Sequence, residues 1–158
     1  MTVDPEDNVS LKLLLMRHGD AEAHASLDSE RTLSSGGRET VALRAKQLRS
    51  NGYQIDYLVS SPYVRTVETA SIIAEKVGIK EVLISEALTP GREPDEAITA
   101  LEPICNRDNI VMAVLHQPLI SRLIEYLSEV DQPISTADIA VIEAPVLAKG
   151  CCRLICML

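Results

Sequence analysis

Apolar runs of strand length alternate along this chain with longer segments whose apolar residues recur at helical spacing, and this alternation leaves few ways to fold. Leu11-Lys12-Leu13-Leu14-Leu15-Met16, residues 57–59 and residues 110–115 read as strands buried on both faces. Ser34-Ser35-Gly36-Gly37 opens a helix that carries Val41, Leu43, Ala45 and Leu48 and stops at Asn51-Gly52. Pro62 opens a second helix, with Val64, Val67, Ala70, Ile73, Ala74 and Val77 as one stripe and Gly78 as its stop. A strand at 81–85 and a short helix at 95–102, ending at Pro103, come next. Pro118 then starts a helix bearing Leu119, Ile120, Leu123, Ile124 and Leu127, and residues 139–144 and 151–157 close the chain as strands.

The pattern predicts the α/β class, as a three-layer α/β/α sandwich. The last two strands share only the short connection 145–150, so they pair antiparallel and the mostly parallel sheet is mixed. A chain of 158 residues is the size of one domain. Residues 1–10 read as a flexible polar arm and residues 11–158 as a single domain, with no repeat or linker.

Three of the strands end in residues that carry chemistry. Arg17-His18-Gly19 follows the first, Ser61-Pro62-Tyr63-Val64-Arg65 the second, and His116-Gln117-Pro118 the run at 110–115. The ends of parallel strands are where open α/β sheets keep their sites. Two guanidinium groups converging on one point suit a tetrahedral dianion, because each offers a planar fork of donors and neither loses its charge. Phosphate is the ligand this predicts. With both histidines facing it, one imidazole serves as nucleophile and the other as donor to the phosphoryl oxygens, which is phosphoryl transfer needing no metal and no cofactor.

Composition removes several alternatives. The formal charge of -8 argues against nucleic acid, although screening lets a small cationic pocket persist on an acidic protein. The N-terminal residues hold no apolar signal core and no run reaches membrane-spanning length, so a cytoplasmic protein is expected. Phe and Trp are absent, leaving Leu, Ile, Val and Ala to build the core. Of Cys105, Cys151, Cys152 and Cys156, none forms a CxxC pair. Cys152, Leu154 and Cys156 alternate, which reads as small core side chains with reduced thiols. His24 reads as a solvated loop residue, and Arg31 as either a second anion contact or a loop brace. A zinc site from His18, His24 and His116 is disfavoured by the neighbouring guanidinium charges. Asp20 has two readings, a general acid or an ion-pair partner of a nearby Arg.

These blocks resemble the histidine phosphatase superfamily, of phosphoglycerate mutase-like fold, and within it the small SixA-type phosphohistidine phosphatases. The matching segments are Met16-Arg17-His18-Gly19-Asp20-Ala21, Arg31-Thr32-Leu33-Ser34 before Gly36-Gly37, Ser60-Ser61-Pro62-Tyr63-Val64-Arg65, Leu88-Thr89-Pro90 and His116-Gln117-Pro118-Leu119. The resemblance implies that His18 attacks phosphorus, that Arg17 and Arg65 clamp the phosphoryl oxygens, that His116 stabilises the charge in transit, and that water hydrolyses phospho-His18. It also implies that the second ring nitrogen of His18 donates to a backbone carbonyl near Gly19. Larger relatives place an acid after the third strand, where Glu86 stands here. Leu115 occupies a position where the SixA-type pattern carries Ser or Gly. The expected substrate is phosphohistidine on a protein such as a histidine phosphotransfer domain. The alternatives are a small-molecule phosphomonoesterase, with Glu86 or Asp20 as acid, and a non-catalytic phosphoprotein-binding module.

Overall fold

The computed structural model describes residues 10–158. The polar arm expected at 1–10 lies outside the described residues except for Ser10, which is half-buried with its hydroxyl donating to Glu143. The elements run β1 (Leu11–Arg17), α1 (Ser35–Ser50), β2 (Tyr57–Ser60), α2 (Val64–Val77), β3 (Val82–Ile84), α3 (Pro94–Leu101), β4 (Ile110–Leu115), α4 (Leu119–Ser128), β5 (Ile139–Ala144) and β6 (Arg153–Met157).

The six strands form one sheet in the order β3-β2-β4-β1-β5-β6. β1, β2, β3 and β4 are parallel, while β5 and β6 are antiparallel to their neighbours, which makes the sheet mixed as expected. On one face α3 and α4 cover Leu13, Leu15, Val111 and Ala113, and on the other α1 and α2 cover Leu14, Met16, Leu58 and Met112. Alternate residues of β1 thus feed opposite cores, the signature of a strand buried on both sides. The three-layer sandwich follows. No described helix is long and apolar enough to cross a membrane.

Several helix starts and stripes differ from expectation. Leu43 is exposed, because Val41, Ala45 and Leu48 already occupy the i, i+4, i+7 face and position 43 points outward. α2 begins two residues after Pro62, with Tyr63 extended at its cap, and α3 begins at Pro94 and passes into a 3-10 turn containing Pro103. In α2 the expected apolar stripe holds only for the second half. Ala70, Ile73 and Ala74 are buried there, whereas the first two turns bury Arg65, Thr66 and Thr69 and leave Val64 and Val67 half-exposed.

The cysteine expectation also changes. β6 carries a bulge, with Val141 paired to Cys156 but Ile142 to Leu154, so Ile155 is the extra residue and the alternation flips there. Leu154 packs with Cys152 on the α4 side, but Cys156 and Cys151 are exposed.

Candidate active site

The sheet order puts β4 between β2 and β1, so three parallel strands end side by side. The register pairs Arg17 with Leu115, and one step on, His18 stands beside His116 with ring centroids 5.2 Å apart. Arg65 reaches the same point from the first turn of α2, donating Nε–H to His18 Nε2 at 3.3 Å. The structure therefore brings Arg17, His18, Arg65 and His116 together. All but the half-buried Arg17 are nearly closed to solvent.

Each group is held from behind. His18 Nδ1 lies 2.7 Å from the Gly19 carbonyl, an acceptor, so Nδ1 carries the proton and Nε2 keeps its lone pair. The donor Nε–H of Arg65 facing Nε2 requires the same tautomer. The Gly19 N–H in turn donates to Thr69 Oγ1, four residues along the buried face of α2 from Arg65. Arg17 donates to the Ile134 carbonyl at 3.1 Å, and the Ala137 N–H donates to both the Arg17 and His18 carbonyls. Arg65 donates at 2.7 Å to the Asp28 carbonyl and at 3.0 Å to its carboxylate. His116 Nε2 is 2.8 Å from Ser61 Oγ, and the Tyr63 ring meets His116 edge-on at 4.9 Å.

Burial pushes the His18 imidazole down to about 4, and the nearby Arg65, Arg17 and Arg31 charges add to the effect against the opposing Gly19 hydrogen bond. His116 is lowered to about 3, again chiefly by burial, with His18 and the arginines contributing. Both rings are neutral at pH 7. Among the described residues, two buried side-chain nitrogens lack a hydrogen-bond partner, Arg17 Nε and His116 Nδ1, and both belong to this cluster. Buried polar groups are ordinarily satisfied, so paired orphans mark a place where an acceptor-rich ligand belongs. Two guanidinium groups and two neutral imidazoles thus gather donors suited to an oxyanion around a His18 Nε2 lone pair that meets the Arg65 N–H at 3.3 Å.

Comparison with known proteins agrees with that chemistry. Residues 13–89, which hold Arg17, His18 and Arg65, match the family model of the histidine phosphatase superfamily (branch 1). Over these residues, just under half of its length, the chain is similar to that superfamily. This match together with the SixA relatives makes it a phosphatase, a hydrolase of phosphoryl groups. It is 26% identical over 125 residues to the phosphohistidine phosphatase SixA of Escherichia coli K12, covering 78% of each chain. To the mouse mitochondrial serine/threonine-protein phosphatase PGAM5 it is 31% identical over 93 residues, covering 58% of this chain and 32% of that protein. The solved structure of the protein histidine phosphatase SixA complexed with tungstate superposes with a TM-score of 0.84 at 23% identity, covering 93% of this chain and 96% of that one.

The remaining residues singled out in the sequence fall outside the cluster. Asp20 is exposed and accepts from the Ser34 hydroxyl at 2.7 Å, which ties the first turn of α1 to the β1 exit. The approach there is tight, since a Cβ on Gly37 would lie 2.1 Å from the Asp20 carbonyl oxygen. Glu86 is exposed in the turn after β3, at the same end of the sheet but with β2 and β4 between it and β1. Arg31 is a loop brace, donating to the Glu22 carbonyl and to Asp28. His24 is exposed. Among the described residues no group of three or more His, Cys, Asp or Glu is placed to hold a metal.

The sequence reading gave no role to Asp28, Thr69 or residues 134–137. Thr69 had a signal, since a residue four after Arg65 shares its helix face. Asp28 had none, being one of several polar residues in the loop 22–30.

Proposed function

We propose that this phosphatase hydrolyses phosphohistidine on a protein such as a histidine phosphotransfer domain, through a phospho-His18 intermediate and without a metal ion. The observation that carries the reading is the pinned neutral His18, with Nδ1–H on Gly19 O and the Nε2 lone pair beside Arg65. Arg17, Arg65 and His116 Nδ1–H bind the phosphoryl oxygens and oppose the charge that builds on them in transit. His18 Nε2 forms a bond to phosphorus as the bond to the substrate imidazole breaks, and the electron pair stays on the departing nitrogen. Water then attacks phosphorus, its protons remaining on the released phosphate, and His18 leaves as the neutral Nδ1–H imidazole it was.

The leaving group separates phosphohistidine from an ester. An alkoxide needs a proton, whereas an imidazole protonated on its remote nitrogen departs neutral. The carboxyl bonded into this cluster is Asp28, and its hydrogen bonds from Arg31 and Arg65 hold it below the usual carboxylate range, as an anion with no proton to give. Asp20 is engaged by Ser34. The loops also leave the site uncapped by any inserted domain, which suits approach by a protein surface.

A phosphomonoesterase is the second reading, favoured by the exposed Glu86 at the same end of the sheet. The deciding assay compares turnover of a phosphohistidine-bearing protein and of para-nitrophenyl phosphate by wild type, His18→Ala and Glu86→Gln, with a chelator present. The proposal expects fast, chelator-insensitive cleavage of the phosphoprotein, abolished by His18→Ala and unchanged by Glu86→Gln. Faster ester cleavage that depends on Glu86 establishes the second reading, and undiminished turnover by His18→Ala removes the covalent mechanism. Binding of the phosphoprotein without turnover leaves a recognition module.

A further inference from the structure

His116 needs a donor, not a lone pair, toward a phosphoryl oxygen, and a neutral imidazole offers a donor on only one nitrogen. Something must decide which. Ser61, fully buried at the end of β2, sits against the far nitrogen, with Oγ 2.8 Å from His116 Nε2. A hydroxyl has one proton and two lone pairs. One lone pair of Ser61 Oγ accepts the Tyr63 N–H at 3.3 Å, in the turn that leads into α2. The Ser60 and Thr66 hydroxyls donate to the Ser61 carbonyl and not to this oxygen. The acceptor within reach of the Ser61 proton is then His116 Nε2.

From this geometry we infer that Ser61 is a positioning residue, whose hydroxyl donates to His116 Nε2 and so keeps the imidazole in the Nδ1–H tautomer that faces the phosphoryl group. The inference rests on the catalytic reading of the site given above. In the opposite tautomer Nε2–H would donate to Ser61, stranding the buried hydroxyl proton without an acceptor and presenting a lone pair to an anion. The two histidines are then set alike, Nδ1–H in both, by unlike means. A backbone carbonyl fixes His18, and a side chain that mutation can remove fixes His116. The edge-on Tyr63 ring keeps the plane of His116 while Ser61 assigns its proton.

The test reads the tautomer directly, by nitrogen and carbon NMR of histidine-labelled, ligand-free protein at pH 7, alongside turnover of a phosphohistidine-bearing protein. Wild type should show His116 as Nδ1–H. In Ser61→Ala the signal should move toward Nε2–H, with kcat down about tenfold and KM little changed. That is less than the full effect of removing a donor, because a fraction of the rings stays productive. Ser61→Thr, which restores the hydroxyl, should recover both the signal and the rate. An Nε2–H signal in wild type overturns the inference, as does a Ser61→Ala protein that loses rate with its tautomer unchanged. The NMR arm needs no substrate, so it stands or falls apart from the phosphohistidine assignment, which the His18→Ala assay decides.

Discussion

The two halves of α2 share one helical period and bury unlike surfaces. The second half sets Ala70, Ile73 and Ala74 against Leu58, Met112 and Val114, while the first sets Arg65, Thr66 and Thr69 over the strand ends and the turn at Asp28. A helix face is buried because something lies beneath it, and what lies beneath decides whether that face must be apolar. Over the sheet it is a core; past the last sheet residue it is the candidate site. The first half should govern turnover with little effect on stability, and the second half the reverse.

The largest expected break in that symmetry is Arg65→Lys. It keeps the charge but loses the fork that spans His18 and Asp28, and should lower kcat about 10²–10³-fold while the denaturant midpoint stays near that of wild type. A large loss of stability would show that the first half is core as well. Ile73→Ala tests the other half. It should cost about 2–5 kcal/mol in equilibrium unfolding, with kcat at 25 °C unchanged.

Acid should expose the cost of keeping two imidazoles neutral at the site. In the unfolded chain both titrate near 6.5, whereas in the folded protein they are lowered to about 4 and about 3. Above pH 6.5 neither state binds the protons and nothing is lost. As pH falls through 6.5 toward 3 the unfolded state takes them up first, so stability drops across that window. Urea unfolding between pH 7 and pH 4 should show the decline, and a His18→Gln variant should flatten part of it. An equal slope in that variant would contradict the assignment.

Smaller still is Asp28→Asn. The Asp28 carbonyl keeps its bond to Arg65, so kcat should fall by less than about tenfold, and the loss of an ion pair whose carboxylate side is exposed should change unfolding by about 1 kcal/mol. Gly78→Ala, at φ +82°, should cost about 1 kcal/mol and leave turnover alone.

How much of this was legible in the sequence depended on range. The strand ends at Arg17-His18 and His116 were readable because a buried strand announces itself as an apolar run and its exit as the first polar residues beyond. The Gly78 stop was readable because a helix terminus is a local event. The apolar stripe of α2 was misread in its first half, since periodicity marks a face without naming its partner. Asp28, and the backbone of 134–137 that holds Arg17, carried no signal at all, because they act through contacts 37 and 117 residues distant in the chain.

The chain by itself determined its class, its order of strands and helices and its four candidate reacting side chains, because these follow from periodicity and from short segments whose physics is local. Tertiary structure alone decided which imidazole nitrogen faces which partner, that Asp28 and Ser61 stand behind Arg65 and His116, and that the bulge in β6 turns Cys156 outward. The contacts behind Arg65 and His116 join segments far apart in sequence, and the bulge depends on the register of β6 against β5, where one residue of slip reverses every side chain.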